Sequence, residues 1–189
     1  MFSGSSFGAK PVYADAAAGL GREIAARGIG LVYGGGSVGL MGVVADAVLA
    51  AGGEVIGVIP RALATKEIAH QGLADLRVVA SMHERKALMT ELADGFVALP
   101  GGFGTFDELF EAITWAQLGL HQKPIALLDV GGYFGPLLAL LDRATEERFV
   151  RVEHRALVVS AADPVRVLDR LAAFRSAAAP TKWIGKDET

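Results

Sequence analysis

Short apolar runs alternate with longer, helix-like segments along almost the whole chain. We predict strands at residues 30–33, 54–58, 76–79, 95–99, 124–128 and 156–159, and helices at residues 11–27, 40–51, 82–93, 105–120, 133–147 and 164–174. Strands that alternate with helices in this way form parallel sheets, because each crossover helix packs back onto the sheet. The sequence therefore predicts an α/β fold, with a parallel sheet and helices on both faces.

The composition limits the class of protein. Apolar residues make up 52% of the chain and charged residues 21%, which argues against disorder. The net charge of −3 argues against a nucleic-acid partner, because such domains carry a basic face. The chain has no cysteine, so disulfides and thiolate metal sites are excluded and a reducing cytoplasm is predicted.

The length predicts a single domain. A chain of 189 residues can bury one substantial core, and no linker or repeat divides it, so we predict one nucleotide-binding domain over residues 1–178 and a polar tail over residues 179–189. No apolar run reaches the roughly 18 residues of a membrane span, and no secretory signal is evident, so no membrane association is predicted. The histidines lack metal-ligand spacing, so neither a metal nor a cofactor is predicted.

The run from Pro100 to Glu108 carries the strongest functional signal. Three glycines at 101, 102 and 104 follow an apolar strand and open a helix. Glycine lets a ligand approach the backbone closely, and a helix N-terminus supplies free N–H groups and a positive dipole end. This combination is typical of a phosphate site, to which Thr105 can add a hydroxyl. A carboxylate at Glu108 would repel a phosphate, so we expect it to face the neighbouring part of the ligand, such as a ribose.

Three further glycine turns follow predicted strands, at residues 4–8, 34–39 and 131–132. Ligands of open parallel sheets bind at the carboxyl ends of the strands, where the first two of these turns and the turn at 101–104 are expected. The simpler interpretation is that each turn only redirects the chain. Gly34, Gly36 and Gly39 match a dinucleotide-binding pattern followed by Glu54, but this turn follows the second strand rather than the first, so dinucleotide binding is not favoured.

The start of the helix at 82–93 carries adjacent basic residues. Ser81 and Glu84 predict a capping box there. Arg85 and Lys86 diverge by about 100° on a helix, so they cannot fully share one face. A solvated basic pair is the ordinary interpretation, and binding to phosphate or to a base edge is the functional one.

Asp107 and Glu108 are also adjacent, and they diverge in the same way, so they are not expected to form a facing acid–base pair. Glu108 and Glu111 share a helix face, and the motif favours Glu108 as the residue that faces the site. Glu67 lies in residues 62–72, between two predicted strands, where an acidic side chain is ordinarily on the surface of a loop. Thr114 has three open roles: a bond to a backbone carbonyl, a pocket wall, or a subunit contact.

The chain begins with only three residues before its first glycine turn. A strand is expected before Gly4, and Met1–Ser3 is all that is available for it. Two interpretations are open at this stage: a short first strand, or a chain that begins later than its natural start.

Taken together, these motifs resemble the Lonely Guy family of cytokinin-activating phosphoribohydrolases, whose older label is possible lysine decarboxylase. The resemblance runs from Gly4 to about Leu157, and its carriers are Gly4–Ser6 with Gly8, Leu31–Gly42, Val55–Pro60, Met82–Lys86, Pro100–Glu108 and Ile113–Gly119. Where this family has a Cys before the first turn, this chain has Ser3. The decarboxylase label is not supported by the sequence, because no lysine with a pyridoxal-type site is indicated.

The resemblance implies a Rossmann-like, doubly wound fold and a homodimer. It implies hydrolysis of N6-substituted adenosine 5′-monophosphates, and of AMP, to free base and ribose 5-phosphate, without a cofactor. Arg85 and Glu108 are then the catalytic pair. The implied substrate contacts are Glu67, Lys86, Gly101, Gly102, Phe103, Gly104, Thr105, Phe106, Asp107 and Thr114. Further candidate contacts to phosphate or nucleotide are Ser5, Gly8, Gly35, Gly36 and Met82.

The main alternative is a binding module. Molybdenum-cofactor carrier proteins are similar in fold and in their glycine turns, and they hold a phosphorylated pterin without turnover. A nucleotide-sensing or DNA-processing relative is a second alternative. The net negative charge of the chain argues against it. The combination of Met82–Lys86 with Pro100–Glu108 favours the hydrolase.

Overall fold

All six strands predicted from the apolar runs are present in the structure, a computed structural model that describes residues 1–64 and 69–175. The strands are β1 (Leu31–Tyr33), β2 (Val55–Pro60), β3 (Asp75–Val79), β4 (Phe96–Ala98), β5 (Ile125–Leu128) and β6 (Val158–Ala161). The helices are α1 (Pro11–Ala26), α2 (Gly39–Ala50), α3 (Arg61–Ala64), α4 (Met82–Leu92), α5 (Phe103–Gln117), α6 (Gly135–Glu146), α7 (Val152–Arg155) and α8 (Pro164–Ala173), with a 3₁₀ turn at Val130–Gly132. The predicted contact Glu67 and the predicted tail at 179–189 lie outside the described residues.

The main differences from the predicted elements lie around α5 and in two short helices. Helix α5 begins at Phe103 rather than at 105, because Gly102 has an extended backbone (φ −98°, ψ −153°) and the helix starts directly after it. Two four-residue helices, α3 and α7, were not predicted, because a single helical turn shows no apolar periodicity. The cap predicted at Ser81 is confirmed, since the Glu84 N–H donates to Ser81 Oγ; the return bond of the capping box is displaced by one residue, because Glu84 Oε2 accepts from the Ala80 N–H. Asp163 caps α8 in the same way, with Oδ1 accepting from the Arg166 N–H.

The strands form two parallel three-stranded sheets that the N-terminal segment joins. Their orders are β1-β2-β3 and β4-β5-β6. Between β1 and β4 lies Met1–Ser3: the Met1 amino group donates to the Val32 carbonyl at 2.7 Å, and the Phe2 N–H donates to the Val97 carbonyl at 2.9 Å. The short first strand expected from the sequence is thus the centre of a parallel run in the order β3-β2-β1-(Met1–Ser3)-β4-β5-β6.

Alternate residues of the central strands face two separate apolar clusters. Val97 and Leu99 pack with α1, α2 and α8, whereas Phe96 and Ala98 pack with α4 and α5. Helices therefore cover both faces, and the doubly wound, Rossmann-like α/β fold predicted from the sequence is confirmed. The direction of winding reverses at Met1–Ser3, which makes the carboxyl ends of this segment and of β4 the switch point of the sheet. None of the described helices is long and apolar enough to cross a membrane.

Helices α1 and α2 make their closest approach at Gly21. A Cβ built at Gly21 would lie 2.6 Å from the Val44 carbonyl oxygen and 2.7 Å from Ala47 Cβ. Both neighbours are backbone or rigid side chain, so an added methyl group would push the two helices apart. Gly19, one half-turn earlier, has room for a methyl group, since its nearest neighbour would be Pro164 Cγ at 3.4 Å.

We therefore expect Gly21→Ala to lower the free energy of unfolding by about 1–3 kcal/mol, the usual cost of overpacking. Gly19→Ala is the matched control on the same helix; it should leave that free energy unchanged or raise it by up to about 1 kcal/mol, because alanine is the better helix former. Urea unfolding of both variants measures the difference, and equal stability of the two would contradict the packing argument.

Candidate functional site

Three glycine turns meet at the switch point of the sheet. The Gly4 N–H donates to the Pro100 carbonyl at 3.1 Å, and the Met41 N–H donates to the Gly4 carbonyl at 3.4 Å. These bonds connect the turn at residues 4–8 with the other two, at 34–39 and 101–104. The expectation that these turns share one edge of the sheet is confirmed, because all three follow the carboxyl ends of neighbouring parallel segments.

The three turns enclose a cavity of about 350 Å³. Its wall combines glycine backbone, a buried ion pair and a small apolar patch. The lining residues are Ser3, Gly4, Ser5, Gly34, Gly36, Met41, Ile59, Leu63, Arg85, Gly102, Phe103, Gly104, Thr105 and Glu108. A cavity lined by both polar groups and apolar side chains is suited to a small ligand with a charged and an apolar part.

The N-terminus of α5 opens into this cavity. Its first intrahelical bond runs from the Phe106 N–H to the Gly102 carbonyl at 3.1 Å, so the N–H groups of Phe103, Gly104 and Thr105 have no acceptor within the helix. Gly102 at the N-cap supplies no side-chain cap, whereas Ser81 caps α4 and Asp163 caps α8. An anion in the cavity would bind these donors and the positive end of the helix dipole.

A buried ion pair forms another part of the cavity wall. Arg85 Nη1 lies 2.6 Å from Glu108 Oε1, and each side chain is only 10% exposed. Arg85 also donates from Nε to the Val58 carbonyl at 3.0 Å. The interpretation of Arg85 as half of a solvated basic pair is therefore wrong, because its position on α4 turns it inward across β2 while Lys86 turns outward.

Burial raises the pKa of the Glu108 carboxyl above its ordinary value, and the Arg85 guanidinium opposes this by lowering it. A carboxylate taken out of water needs such a partner to remain charged. The net effect is that the pKa of Glu108 stays raised although Arg85 opposes the shift, and the carboxyl lines the cavity.

The remaining predicted contacts divide between the cavity and a separate groove. Lys86 Nζ lies 2.6 Å from Glu111 and 3.2 Å from Asp107, on the outer side of α4 and α5. Its hydrogen bond to Glu111 is the main cause that raises the pKa of Lys86. A groove of about 420 Å³ runs along these charges, and it is lined by Lys86, Phe106, Asp107, Phe110, Glu111, Thr114 and Trp115. We call this surface the α5 groove.

Thr114 lies in the α5 groove and donates its hydroxyl to the Phe110 carbonyl at 2.7 Å, so two of its three predicted roles are combined. Arg85, Glu108, Gly102, Phe103, Gly104, Thr105, Ser5 and Gly36 line the cavity. Gly8, Gly35, Met82 and Gly101 do not line it. Gly8 packs against Tyr13, Gly35 against Ile59 and Leu76, and Met82 is exposed at the start of α4.

Sequence reasoning missed the apolar wall of the cavity. Ile59 lies near the carboxyl end of β2, so the rule that ligands bind at strand ends could have found it. Met41 follows the second glycine turn, and Leu63 belongs to the unpredicted helix α3. Glu54, the acid of the dinucleotide pattern, precedes β2 and lines a separate hollow at the amino ends of the strands. It is thus at the opposite edge of the sheet from the glycine turns, which argues against dinucleotide binding.

The fold is that of a doubly wound α/β protein, and its switch point carries an uncapped helix N-terminus beside a buried Arg–Glu pair, an arrangement suited to an anionic small molecule. Within residues 1–64 and 69–175, no group of three or more metal-ligating side chains accompanies it. Residues 41–171 match the family model described as possible lysine decarboxylase, and close relatives carry the Lonely Guy name; the chain belongs to this family.

The similarity to named relatives is high over most of the chain. A rice protein (Oryza sativa subsp. japonica) named probable cytokinin riboside 5′-monophosphate phosphoribohydrolase LOGL2 is 52% identical over 90% of this chain and 70% of its own length. The Arabidopsis thaliana phosphoribohydrolase LOG3 is 50% identical over 90% of this chain and 80% of its own length.

Solved structures agree in fold. The molybdenum cofactor binding protein from Rippkaea orientalis has a TM-score of 0.68 at 23% identity, covering 90% of this chain and 93% of its own. The molybdenum cofactor carrier protein from Chlamydomonas reinhardtii has a TM-score of 0.67 at 24% identity, covering 91% of this chain and 95% of its own. At this level of identity the likeness concerns the fold alone.

The ion pair depends on the absence of a side chain at residue 34. A Cβ built at Gly34 would lie 2.1 Å from Arg85 Nη2, so an added methyl group has to displace the guanidinium. That displacement would disturb the bonds from Arg85 to Glu108 and Val58. Gly30, just before the same strand, has no atom within 4 Å of a built Cβ and serves as the control.

We expect Gly34→Ala to lower the free energy of unfolding by about 1–3 kcal/mol through this overpacking, and Gly30→Ala to change it by less than about 0.5 kcal/mol. Chemical denaturation of both proteins at neutral pH measures this. If Gly34→Ala were as stable as Gly30→Ala, Arg85 would not be held in the position described.

Proposed function

We propose that this chain is a phosphoribohydrolase that cleaves the N-glycosidic bond of N6-substituted adenosine 5′-monophosphates, the cytokinin nucleotides, and of AMP. The products are the free base and ribose 5-phosphate. The observation that carries the proposal is the position of Glu108, a buried carboxylate paired with Arg85 in the cavity that the N-terminus of α5 enters. Relatives about half identical to this chain are named for the reaction on cytokinin riboside 5′-monophosphates.

The 5′-phosphate is assigned to the N-terminus of α5. The N–H groups of Phe103, Gly104 and Thr105 lack acceptors in the helix, and Thr105 lies buried in the cavity wall. A dianion would bind this end of the helix through hydrogen bonds and the dipole together. Binding the phosphate there fixes the distance of the attached ribose from Glu108, one helical turn further along, and this supplies the positioning that catalysis needs.

Glu108 is assigned to the ribose. In hydrolysis the bond from C1′ to the purine nitrogen breaks, a water oxygen bonds to C1′, and a proton from that water ends on the leaving base. Positive charge develops on C1′ and O4′ during this change. An anionic carboxylate in a site of low dielectric stabilises that charge more strongly than it stabilises the neutral sugar, which lowers the barrier.

Arg85 serves first to hold Glu108. Its Nε and Nη1 are engaged by Val58 and Glu108, which supports a role in orienting the carboxylate and keeping it charged. The planar guanidinium has further N–H groups that can reach the substrate. The apolar lining residues Met41, Ile59 and Leu63 support a place for the purine in the same cavity. The reaction in this form uses no cofactor, and a cytoplasmic location belongs to the same proposal.

A homodimer is the second part of the proposal. Lys86, Phe106, Asp107 and Thr114 were predicted as substrate contacts, yet they lie in the α5 groove rather than in the cavity. Phe110 in that groove is 39% exposed, and Leu118 and Leu120, which follow α5 in the chain, are exposed as well. A second copy packed on this surface would cover these side chains and could bring the Lys86 cluster of one subunit towards the cavity of the other.

The carrier function, the main alternative, differs from the hydrolase in one measurable result. A carrier binds a phosphorylated ligand and returns it intact, whereas the hydrolase releases free base. The identity to the molybdenum-cofactor proteins supports the fold only, while the identity to the phosphoribohydrolases is about twice as high. Release of adenine from AMP decides between the two.

We expect Glu108→Gln to lower turnover of AMP and of N6-isopentenyladenosine monophosphate by about 10²–10³-fold, the usual effect of losing one electrostatic group at a transition state. Free adenine and isopentenyladenine are quantified by chromatography. Glu91→Gln, which removes an exposed acid from α4, is the control and should keep wild-type turnover. Near wild-type turnover of both substrates by Glu108→Gln would remove this carboxylate from the mechanism.

We expect the wild-type chain to run as a dimer of 19.7 kDa subunits and Phe110→Glu to run as a monomer, because a charge in the apolar part of the α5 groove would have to be buried. Sedimentation velocity measures both. Phe149→Glu alters a phenylalanine that is 82% exposed and does not line the α5 groove, so it should remain dimeric. A dimeric Phe110→Glu protein would place the interface elsewhere.

A further inference from the structure

The fourth glycine turn, at residues 131–132, places Tyr133 beside the glycine turn at residues 101–104. We call the turn at 101–104 the phosphate turn, after the group proposed to bind there. Gly131 and Gly132 follow the carboxyl end of β5, and both have left-handed backbones (φ 61° and φ 73°) that other residues rarely adopt. Asp129 holds the far side of this turn, because its Oδ1 accepts from the Phe134 N–H at 2.7 Å. The turn directs Tyr133 back across the end of the sheet, where its hydroxyl donates to the Gly101 carbonyl.

The ring of Tyr133 is fixed by its neighbours. It packs edge-on against Tyr13 of α1, with centroids 6.0 Å apart, and against Phe134, with centroids 5.1 Å apart. Both contacts have the perpendicular geometry that aromatic pairs favour. The hydroxyl is therefore held at a set position by packing that does not depend on its hydrogen bond.

The hydrogen bond from Tyr133 sets the orientation of the peptide group between Gly101 and Gly102. In a planar trans peptide the C=O and the following N–H point in opposite directions. Because Tyr133 binds the Gly101 carbonyl, the Gly102 N–H is directed away from Tyr133, and Gly102 lines the cavity. The preceding carbonyl, of Pro100, is bound by the Gly4 N–H at 3.1 Å. The carbonyl oxygens of Pro100 and Gly101 thus each accept a hydrogen bond.

We propose that Tyr133 is a positioning residue for the phosphate site: its hydroxyl holds the peptide between Gly101 and Gly102 in the orientation that presents N–H, and not C=O, to the phosphate group. This rests on the proposed assignment of the 5′-phosphate to the α5 N-terminus. Without the bond the peptide is free to rotate, and a carbonyl oxygen turned towards the ligand would repel a dianion. The residue acts through the backbone and does not touch the substrate.

The test uses Tyr133→Phe, which keeps the aromatic packing and removes only the hydroxyl. Losing one hydrogen bond that orients a donor should weaken binding of ribose 5-phosphate and of inorganic phosphate about five- to tenfold, as measured by calorimetry. The KM for AMP should rise by the same factor with kcat changed less than about threefold, and the affinity for adenosine, which has no phosphate, should stay at the wild-type value.

Tyr13→Phe is the matched control, since it removes a neighbouring tyrosine hydroxyl that, within residues 1–64 and 69–175, forms no hydrogen bond to the phosphate turn. This variant should bind all four ligands as the wild type does. A second variant, Gly132→Ala, strains the turn that presents Tyr133 and should give the same selective loss. The ratio of affinities for phosphate-bearing and phosphate-free ligands does not depend on the folded fraction, so partial unfolding does not affect it.

Three results would overturn the inference. The first is unchanged phosphate affinity in Tyr133→Phe, the second is equal losses for ribose 5-phosphate and adenosine, and the third is wild-type protein that binds neither ribose 5-phosphate nor phosphate. Failure of the proposed function is a separate result, because it would appear as absence of adenine release from AMP by the wild type, while the binding of ribose 5-phosphate still tests Tyr133.

Discussion

The buried ion pair between Arg85 and Glu108 is the interaction on which the site depends. Two charges with side chains only 10% exposed are costly to remove from water, so they persist only with good geometry and further hydrogen bonds. The Val58 carbonyl supplies one such bond. The bare backbone at Gly34 supplies the space for the guanidinium. Arg85 of α4 thus contacts α5 through Glu108, β2 through Val58 and the end of β1 at Gly34, so its contacts fix these four elements relative to one another.

The site also shows how a small sheet brings distant segments together. The turns after Met1–Ser3, β1 and β4 are separated by tens of residues in the chain, yet hydrogen bonds from Gly4 and Met41 join them. The reversal of winding at the N-terminal segment leaves space between its carboxyl end and that of β4, and the cavity occupies that space. The N-terminus of α5 faces the cavity without a side-chain cap at Gly102, whereas Ser81 caps α4 and Asp163 caps α8. Helices α1 and α2 also begin without a side-chain cap, so α5 is distinguished by the position of its free N–H groups at the cavity.

Much of the fold was predictable because its signals are local. Buried parallel strands are short apolar runs, and caps such as Ser81 and Asp163 act within four residues, so both can be read without knowing the rest of the chain. Helix geometry alone predicts that Asp107 and Glu108 diverge, and the motif favoured Glu108 as the residue that faces the site. Asp107 was predicted as a substrate contact, and the structure places it in the α5 groove instead. The division of the predicted contacts between the cavity and the α5 groove did not follow, because it depends on which helices flank α5. The role of Tyr133 was missed for the same reason: its partner, Gly101, is 32 residues away.

The sequence by itself determined the class of fold, the glycine turns and the helix faces, since periodicity and backbone preference are properties of neighbouring residues. Only the tertiary structure decided that Arg85 is buried rather than solvated, that Met1–Ser3 forms the centre of the sheet, and that Lys86 lies outside the cavity. Those outcomes depend on contacts between segments far apart in the chain. The free energy of burying a charge or a backbone polar group depends on the hydrogen-bond partners and opposite charges that those distant segments place beside it.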